Sequence, residues 1–264
     1  MTSWDPQVYG QYAAERARPF ADLLARVGAR RPRAVVDLGC GPGTLTATLA
    51  DRWPRASVRG IDSSPEMIAR AAALGAPVEF AVADLRDWRP GPDVDVVVSN
   101  AALQWVPGHV DLLPGWVAAL PPGAWLAFQV PGNADAPSHR AMRAVAAGPA
   151  WRGLLDGAAA GPREVPDAAG YARLLAAAGC AVDAWETTYL HLLRADGGDH
   201  PVLRWMEGTA LRPVRAALAD DGDWAAFRAA LAERLAAAYP VVGGLVYFPF
   251  RRVFVVATTQ GGHQ

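Results

Sequence analysis

Short apolar runs alternate with segments of helical periodicity over the first half of the chain. The apolar runs predict strands at 34–39, 57–62, 78–84, 94–100 and 124–130. Apolar residues at helical spacing predict helices at 6–28, 44–53, 64–74 and 110–120. Because continuous apolar runs are typical of strands buried on both faces, this alternation predicts a mainly parallel sheet covered by helices.

The second half of the chain has a different pattern. Residues 131–166 are rich in Gly, Pro and Ala and predict an insertion with a short helix near 138–147. The segments that follow predict a helix at 168–178, a strand at 181–193, at least two helices within 199–239 and a final strand at 245–259. Pro249 and the pair Arg251–Arg252 predict a bulge or an edge position in that last strand.

These patterns predict one domain over residues 1–264, built from several segments. The expected segments are an N-terminal helical lid (1–30), a cofactor-binding half (31–132), an insertion with a helix (133–180) and a helical cap between the last two strands (199–240). The predicted fold class is α/β.

Composition narrows the possible chemistry. The formal net charge is −1, so the sequence has no excess of positive charge that would indicate binding to nucleic acid or to an anionic membrane. The chain contains no lysine, which excludes Schiff-base catalysis and a Walker phosphate loop. Its two cysteines form no CxxC motif or Cys/His cluster, so we expect no metal and a reducing, cytoplasmic setting. We see no signal peptide and no membrane-spanning run, and a monomer fits, although the sequence leaves the oligomeric state open.

The stretch DLGCGPGTL, residues 37–45, places three glycines at the junction of the first strand and the next helix. Such a turn aims backbone N–H groups at a ligand near a helix N-terminus. Asp62, Asp84 and Asn100 end the next three predicted strands. Because the carboxyl ends of parallel strands meet at one edge of the sheet, these side chains are expected beside the same crevice.

Asp37, which precedes the glycines, decides between ligands. A carboxylate there would repel a pyrophosphate but would suit a cationic amino-acid group, which favours S-adenosylmethionine over a dinucleotide. In the alternative interpretation Asp37 only orders the turn, and Asp62 and Asp84 are helix caps or loop acids.

Several motifs carry a family resemblance. VVDLGCGPG, GIDSSPEMI, ADLRDW and SNAALQW resemble the successive motifs of class I S-adenosylmethionine-dependent methyltransferases. SWDPQVYGQYAAERARPFADLLARV, NAALQWVPGH, ETTYLHLL, GTALRPV and FRRVFVVA resemble trans-aconitate methyltransferases across nearly the whole chain. The resemblance implies a Rossmann-like fold with a mostly parallel seven-stranded sheet and helices on both faces.

The resemblance also implies a cofactor site for S-adenosylmethionine, with S-adenosylhomocysteine as its product. The matching positions are Asp37, Gly39, Gly41, Asp62, Ser63, Met67, Asp84, Leu85, Asn100 and Trp105. Asp37 would lie near the amino group, Asp62 would hold the ribose hydroxyls, and Asp84 with Leu85 would frame the adenine.

The implied acceptor is a small anionic tricarboxylate. A carboxylate is already ionised at neutral pH, since its pKa is near ~4, so we predict no general base, metal or covalent intermediate. Side chains that would bind the acceptor are expected at Tyr9, Tyr12, Arg16, Gln104, His139, Tyr189, His191, Arg212 and Arg252. Arg18 and Arg251 are weaker candidates, because an arginine on an exposed surface is usually only solvated. His191 also fits the role of a core histidine that bonds to the backbone.

Three functions remain open at this point. The first is esterification of one carboxylate of trans-aconitate. The second is methylation of another carboxylic acid or natural-product acceptor by the same fold, and the third is a non-catalytic cofactor-binding regulator. The intact glycine turn and strand-end acids count against the third.

Overall fold

The computed structural model describes residues 13–155, 157–158 and 165–260, with side chains from residue 17 onward. Two compact units make up this part of the chain. The larger unit comprises 14–132, 165–187 and 252–260, and the smaller unit comprises residue 13 together with 133–155, 157–158 and 188–251.

Strands and helices alternate through the first half as their periodicity predicts. The strands are β1 (Ala34–Leu38), β2 (Ser57–Asp62), β3 (Glu79–Val82), β4 (Val94–Asn100) and β5 (Trp125–Pro131). The helices are α1 (Ala13–Leu24), α2 (Thr44–Arg52), α3 (Pro65–Ala73) and α4 (His109–Ala119), with a short 3-10 turn at Leu103–Trp105. All five residues of β1 are buried, as expected for a central strand with both faces covered.

The second half adds the remaining elements. They are α5 (Pro137–Ala146), α6 (Ala168–Ala177), β6 (Cys180–Arg194), α7 (Pro201–Glu207), α8 (Arg212–Ala217), α9 (Asp221–Ala238), β7 (Val241–Val242) and β8 (Leu245–Thr259). The predicted helical stretch at 199–239 therefore consists of three helices.

One mixed sheet has the strand order β3-β2-β1-β4-β5-β8-β6, with β7 paired to β8. The first five strands are parallel neighbours, whereas β8 runs antiparallel to β5. This is the predicted α/β, Rossmann-like architecture. Since β1 lies between β2 and β4, the chain reverses its direction of travel across the sheet there, and α/β sheets bind ligands at such a point.

Each unit has its own apolar core. In the larger unit Leu38, Val97, Phe128 and Val255 from neighbouring strands pack with Trp116 of α4. In the smaller unit the buried stripe of α9 packs with residues of α7 and β8. That stripe consists of Phe227, Leu231 and Leu235, which are four residues apart and so share one helix face.

Two details of the last strands differ from the sequence prediction. Strand β8 lies between β5 and β6, so an edge position is wrong over the stretch in which Arg252–Thr258 pairs with β5. The sequence analysis missed β7, which forms a hairpin with β8 through Gly243 and Gly244 at φ 58° and 77°. A two-residue Gly-Gly loop is a known hairpin signal, because both positions need positive φ.

None of the helices in the described part of the chain is long and apolar enough to span a membrane.

Candidate active site at the carboxyl ends of the parallel strands

The three glycines after β1 all have positive φ but serve different purposes. A Cβ atom on Gly39 would lie 2.2 Å from Cβ of Ala102, and one on Gly43 would lie 2.6 Å from Cβ of Ala71. A Cβ atom on Gly41 would meet nothing within 4 Å. Gly39 and Gly43 therefore permit close packing, whereas the space beside Gly41 is open to a ligand.

Asp62, at the end of β2, is fixed by the backbone on both sides. Its Oδ2 atom accepts a hydrogen bond of 2.9 Å from the Gly41 N–H, and Oδ1 accepts one of 2.9 Å from the Ser64 N–H. Ser64 in turn caps α3 by accepting a bond from the Met67 N–H. Each carboxylate oxygen keeps acceptor capacity for a further donor, such as a sugar hydroxyl.

Asp37 is buried in β1, directly before the turn. Thr46 of α2 donates a hydrogen bond of 2.7 Å to its Oδ2 atom, while Oδ1 is buried without a partner among the described residues. Burial raises the pKa of Asp37 to about 7, the bond from Thr46 opposes that rise, and the charge of Asp62 adds to it. An unpaired buried carboxylate oxygen is costly unless a donor reaches it.

Neither Asp37 nor Asp62 forms an ion pair with an arginine in the described part of the chain. Two acids without a counter-charge favour a cationic ligand and disfavour a pyrophosphate. The open side of Gly41, the free acceptor capacity of Asp62 and the orphaned oxygen of Asp37 together fit an adenosyl ligand with an ammonium group. The residues present therefore fit the cofactor that the sequence indicates.

Asp84 lies two residues beyond β3 and has a different environment. Its carboxylate is held by the Arg86 guanidinium, with Nη2 at 2.6 Å from Oδ2, and that pairing lowers the pKa of Asp84. Leu85 is buried in the core of the larger unit. Ser63 is exposed and Met67 is buried on α3, so the two residues offer a hydroxyl and an apolar surface, respectively.

A line of polar side chains crosses the sheet from the middle of β8, through the last residues of β5, to the final residue of β4. Arg252 donates a hydrogen bond of 3.1 Å to Oε1 of Gln129, and Nε2 of Gln129 donates one of 2.5 Å to Oδ1 of Asn100. Gln129 and Arg252 are 1% and 4% exposed. Gln129 was not predicted, although a lone amide in the apolar run WLAFQVP is a signal that could have found it.

The loop after β4 is strained. Ala101 has φ 54°, the left-handed region that residues other than glycine rarely adopt. Gln104 supports this loop by donating from Nε2 to the Ala101 carbonyl at 2.6 Å, and its buried Oε1 has no partner in the described structure. Backbone strain of this kind concentrates at functional sites, where surrounding contacts hold it.

Comparison with known proteins identifies the family. Residues 35–123 match the model of a methyltransferase domain. The trans-aconitate 2-methyltransferase of Mycolicibacterium gilvum is 58% identical to this chain, and the match covers 97% of this chain and 99% of that relative. The enzyme of the same name in Rhodococcus jostii is 55% identical, with 97% of this chain and 100% of that relative covered. The relative in Mycobacterium tuberculosis is 50% identical, with 99% of this chain and 98% of that protein covered.

This chain belongs to the trans-aconitate 2-methyltransferase family. Solved structures support the fold alone. The YcgJ protein of Bacillus subtilis has a TM-score of 0.59 at 13% identity, with 93% of this chain and 99% of that chain covered. A methyltransferase from Bacillus halodurans, described as putative, also has a TM-score of 0.59, at 15% identity, with 92% and 100% covered.

Residues expected to bind the acceptor in this family fall in both units. Gln104 and Arg252 belong to the larger unit, and His139, Tyr189, His191 and Arg212 belong to the smaller one. Tyr9, Tyr12 and the side chain of Arg16 lie outside the described residues. Trp105 remains 43% exposed beside the loop after β4, so its ring is available to a ligand.

The two histidines of the smaller unit are both buried. Burial lowers the pKa of His139 to about 4, with a further contribution from the charge of Arg143, so this ring is neutral at pH 7. The ring of His191 stacks on Trp205 with centroids 4.7 Å apart, and on Tyr189 with centroids 6.5 Å apart. That aromatic setting is compatible with the core role as well as with acceptor binding.

No group of three or more His, Cys, Asp or Glu residues in the described chain is placed to hold a metal ion.

Proposed function

We propose that this protein transfers a methyl group from S-adenosylmethionine to one carboxylate of trans-aconitate, giving the monomethyl ester and S-adenosylhomocysteine. The similarity of 50–58% over nearly the full chain to relatives named for that activity carries the proposal. At this similarity the regions outside residues 35–123, the part shared with methyltransferase domains in general, match as well.

The residues around the glycine turn would hold the cofactor. Asp62 would accept hydrogen bonds from the ribose hydroxyls, and the open face of Gly41 would let the ligand approach the backbone. Asp37 would accept a bond from the ammonium group, which would supply the donor that its Oδ1 atom lacks. Asn100 and Trp105 would line the crevice at the transferred group.

The bound cofactor supplies a methyl group on a positively charged sulfur, which leaves as a neutral thioether when a carboxylate oxygen forms the new bond. The protein needs no base for this step, because the attacking carboxylate is already ionised. Its contribution is to align the oxygen with the methyl carbon and to keep water out. Arg252 and Gln104 are the residues of the larger unit that we assign to acceptor binding.

A turnover assay with methyl-labelled cofactor tests the proposal. It compares trans-aconitate with cis-aconitate, citrate and isocitrate at equal concentrations, and we expect trans-aconitate to give the highest kcat/KM. If another acid is methylated and trans-aconitate is not, the substrate assignment fails and the protein is a methyltransferase for a different acceptor. If no acid is methylated while S-adenosylhomocysteine still binds, a non-catalytic binding role replaces the enzyme.

A further inference from the structure

The hydrogen-bonded line of polar side chains that joins Arg252 in the middle of β8 to Gln129 of β5 and Asn100 at the end of β4 has one allowed orientation. Asn100 and Gln129 are register partners in neighbouring parallel strands, so their side chains share one face of the sheet. Arg252 pairs with Pro131, two residues beyond Gln129, and so lies diagonally across on the same face. Strand geometry therefore brings together three side chains that are far apart in sequence.

Arginine sets the direction because its guanidinium can only donate and stays protonated. Gln129 must turn its Oε1 atom toward Arg252, so that its Nε2 group faces Asn100. Asn100 must then offer Oδ1 to Gln129. Side-chain amides often have ambiguous orientations, but a guanidinium at one end of the line removes the ambiguity.

The outcome is a free donor on Asn100. Its Oδ1 atom is occupied by Gln129, and no acceptor in the described part of the chain takes a bond from its Nδ2 group. Asn100 is half-buried, is the last residue of β4 and precedes the strained Ala101. Its position is at the edge where sheets of this type bind ligands.

We propose that Arg252 and Gln129 are positioning residues that make Asn100 present an N–H donor to a carboxylate in the active site. The inference rests on the proposed function and deepens it, since it assigns a recognition element for a carboxylate ligand. Two ligands could supply that group: the acceptor acid or the amino-acid part of the cofactor. This orienting effect acts through Asn100, needs no contact between Gln129 and the ligand, and is separate from the acceptor contact assigned to Arg252.

Two substitutions at Gln129 separate orientation from packing. In Gln129→Glu the new carboxylate still accepts from Arg252 but has no donor, so Asn100 must turn its Nδ2 group inward and present an oxygen. In Gln129→Met neither hydrogen bond forms, and Asn100 can present either atom. The expected loss of kcat/KM is about 100-fold for Gln129→Glu and about tenfold for Gln129→Met, since hydrogen bonds to charged groups are among the stronger ones.

Stability is expected to follow the opposite order. Gln129→Glu forms an ion pair with Arg252, whereas Gln129→Met removes an acceptor from a buried guanidinium. Gln129→Met should therefore have the lower urea midpoint. A purely structural role would make the less stable variant the less active one. Asn100→Asp provides a matched comparison, because it presents an oxygen while Gln129 remains intact, and its activity should fall about as far as that of Gln129→Glu.

Kinetics and calorimetry assign the ligand. A rise in the KM for trans-aconitate, with an unchanged Kd for S-adenosylhomocysteine, assigns the donor to the acceptor carboxylate. A weaker Kd for S-adenosylhomocysteine, more so in Gln129→Glu than in Gln129→Met, assigns it to the cofactor carboxylate. If Gln129→Glu loses no more kcat/KM and no more affinity for S-adenosylhomocysteine than Gln129→Met does, the proposal is overturned.

The test remains decisive if the proposed function fails. Should wild-type protein methylate a different acid, the same three variants are compared with that acid. Should it methylate none, the Kd for S-adenosylhomocysteine alone decides: the order given above supports the inference, and equal affinities overturn it.

Discussion

Asp37 shows how burial changes the chemistry of a single residue. The sequence places an acid before the glycine turn, and the fold then removes that acid from water and leaves one oxygen without a partner. The resulting rise of its pKa to about 7 means that the carboxyl group is partly protonated near neutral pH. A cation bound beside it would favour the ionised form.

We expect Asp37 to make stability fall as pH rises. Because the pKa of Asp37 in the folded protein is above the usual 3.8, its favourable contribution to the free energy of unfolding is complete below about pH 4. That contribution is lost as the pH rises through about 7. Urea unfolding without cofactor at pH 5 and pH 8 should show most of this loss in the wild type, up to about 3 kcal/mol, and not in Asp37→Asn.

The exposed Asp51 of α2 provides the control for this comparison. Asp51→Asn should retain the pH dependence of the wild type. Equal pH dependence in the wild type and Asp37→Asn would show that Asp37 is not the group responsible.

At the scale of single elements, helix α9 combines a polar cap with an apolar stripe. Asp220 precedes the helix, and its Oδ1 atom accepts hydrogen bonds from the N–H groups of Gly222 and Asp223 at 2.8 and 3.0 Å. The apolar stripe consists of Phe227, Leu231 and Leu235, which are buried in the core of the smaller unit. The cap fixes where the helix begins, and the stripe fixes which face is buried.

Asp220→Ala should lower the free energy of unfolding by about 1 kcal/mol, because two helix N–H groups lose their acceptor. The neighbouring Asp221→Ala removes an exposed ion pair with Arg215 and should cost no more than about 0.5 kcal/mol. Urea denaturation at pH 7 measures both values. Equal losses in the two variants would contradict the capping role.

At the scale of the whole molecule, the reactivity of the two cysteines measures how often the glycine turn and the start of β6 become exposed to solvent. Cys40 lies within the glycine turn and Cys180 begins β6, and both are buried as free thiols. Burial raises the pKa of each thiol; the charges of Asp37 and Asp62 add to the rise at Cys40. The reactive thiolate is therefore scarce in the folded protein.

A disulfide-exchange reagent at pH 8 should label the native protein far more slowly than the urea-unfolded chain, in which both thiols react. Cys180→Ser isolates Cys40, and S-adenosylhomocysteine should slow that remaining reaction further if it covers the turn. Rapid labelling of native Cys180→Ser would show that the turn opens readily. Cys40→Ser gives the matching measurement for β6.

Local sequence determined most of the elements of this protein and the glycine turn with the two acids beside it. Helix and strand positions follow from apolar spacing, which depends only on neighbouring residues, and the strands at 57–62 and 94–100 were predicted with the bounds that they have. The contact between Asp62 and Gly41 also follows, since consecutive parallel strands end at one edge.

Only the tertiary structure decided the relations between distant residues. It assigned Gly39 to packing and left Gly41 open, placed β8 inside the sheet, and set the pKa of Asp37 by burial. It also connected Arg252 through Gln129 to Asn100, over a separation of 123 residues between the first two. Apolar spacing encodes which face of an element is buried, but the partner across that face depends on how the whole sheet assembles.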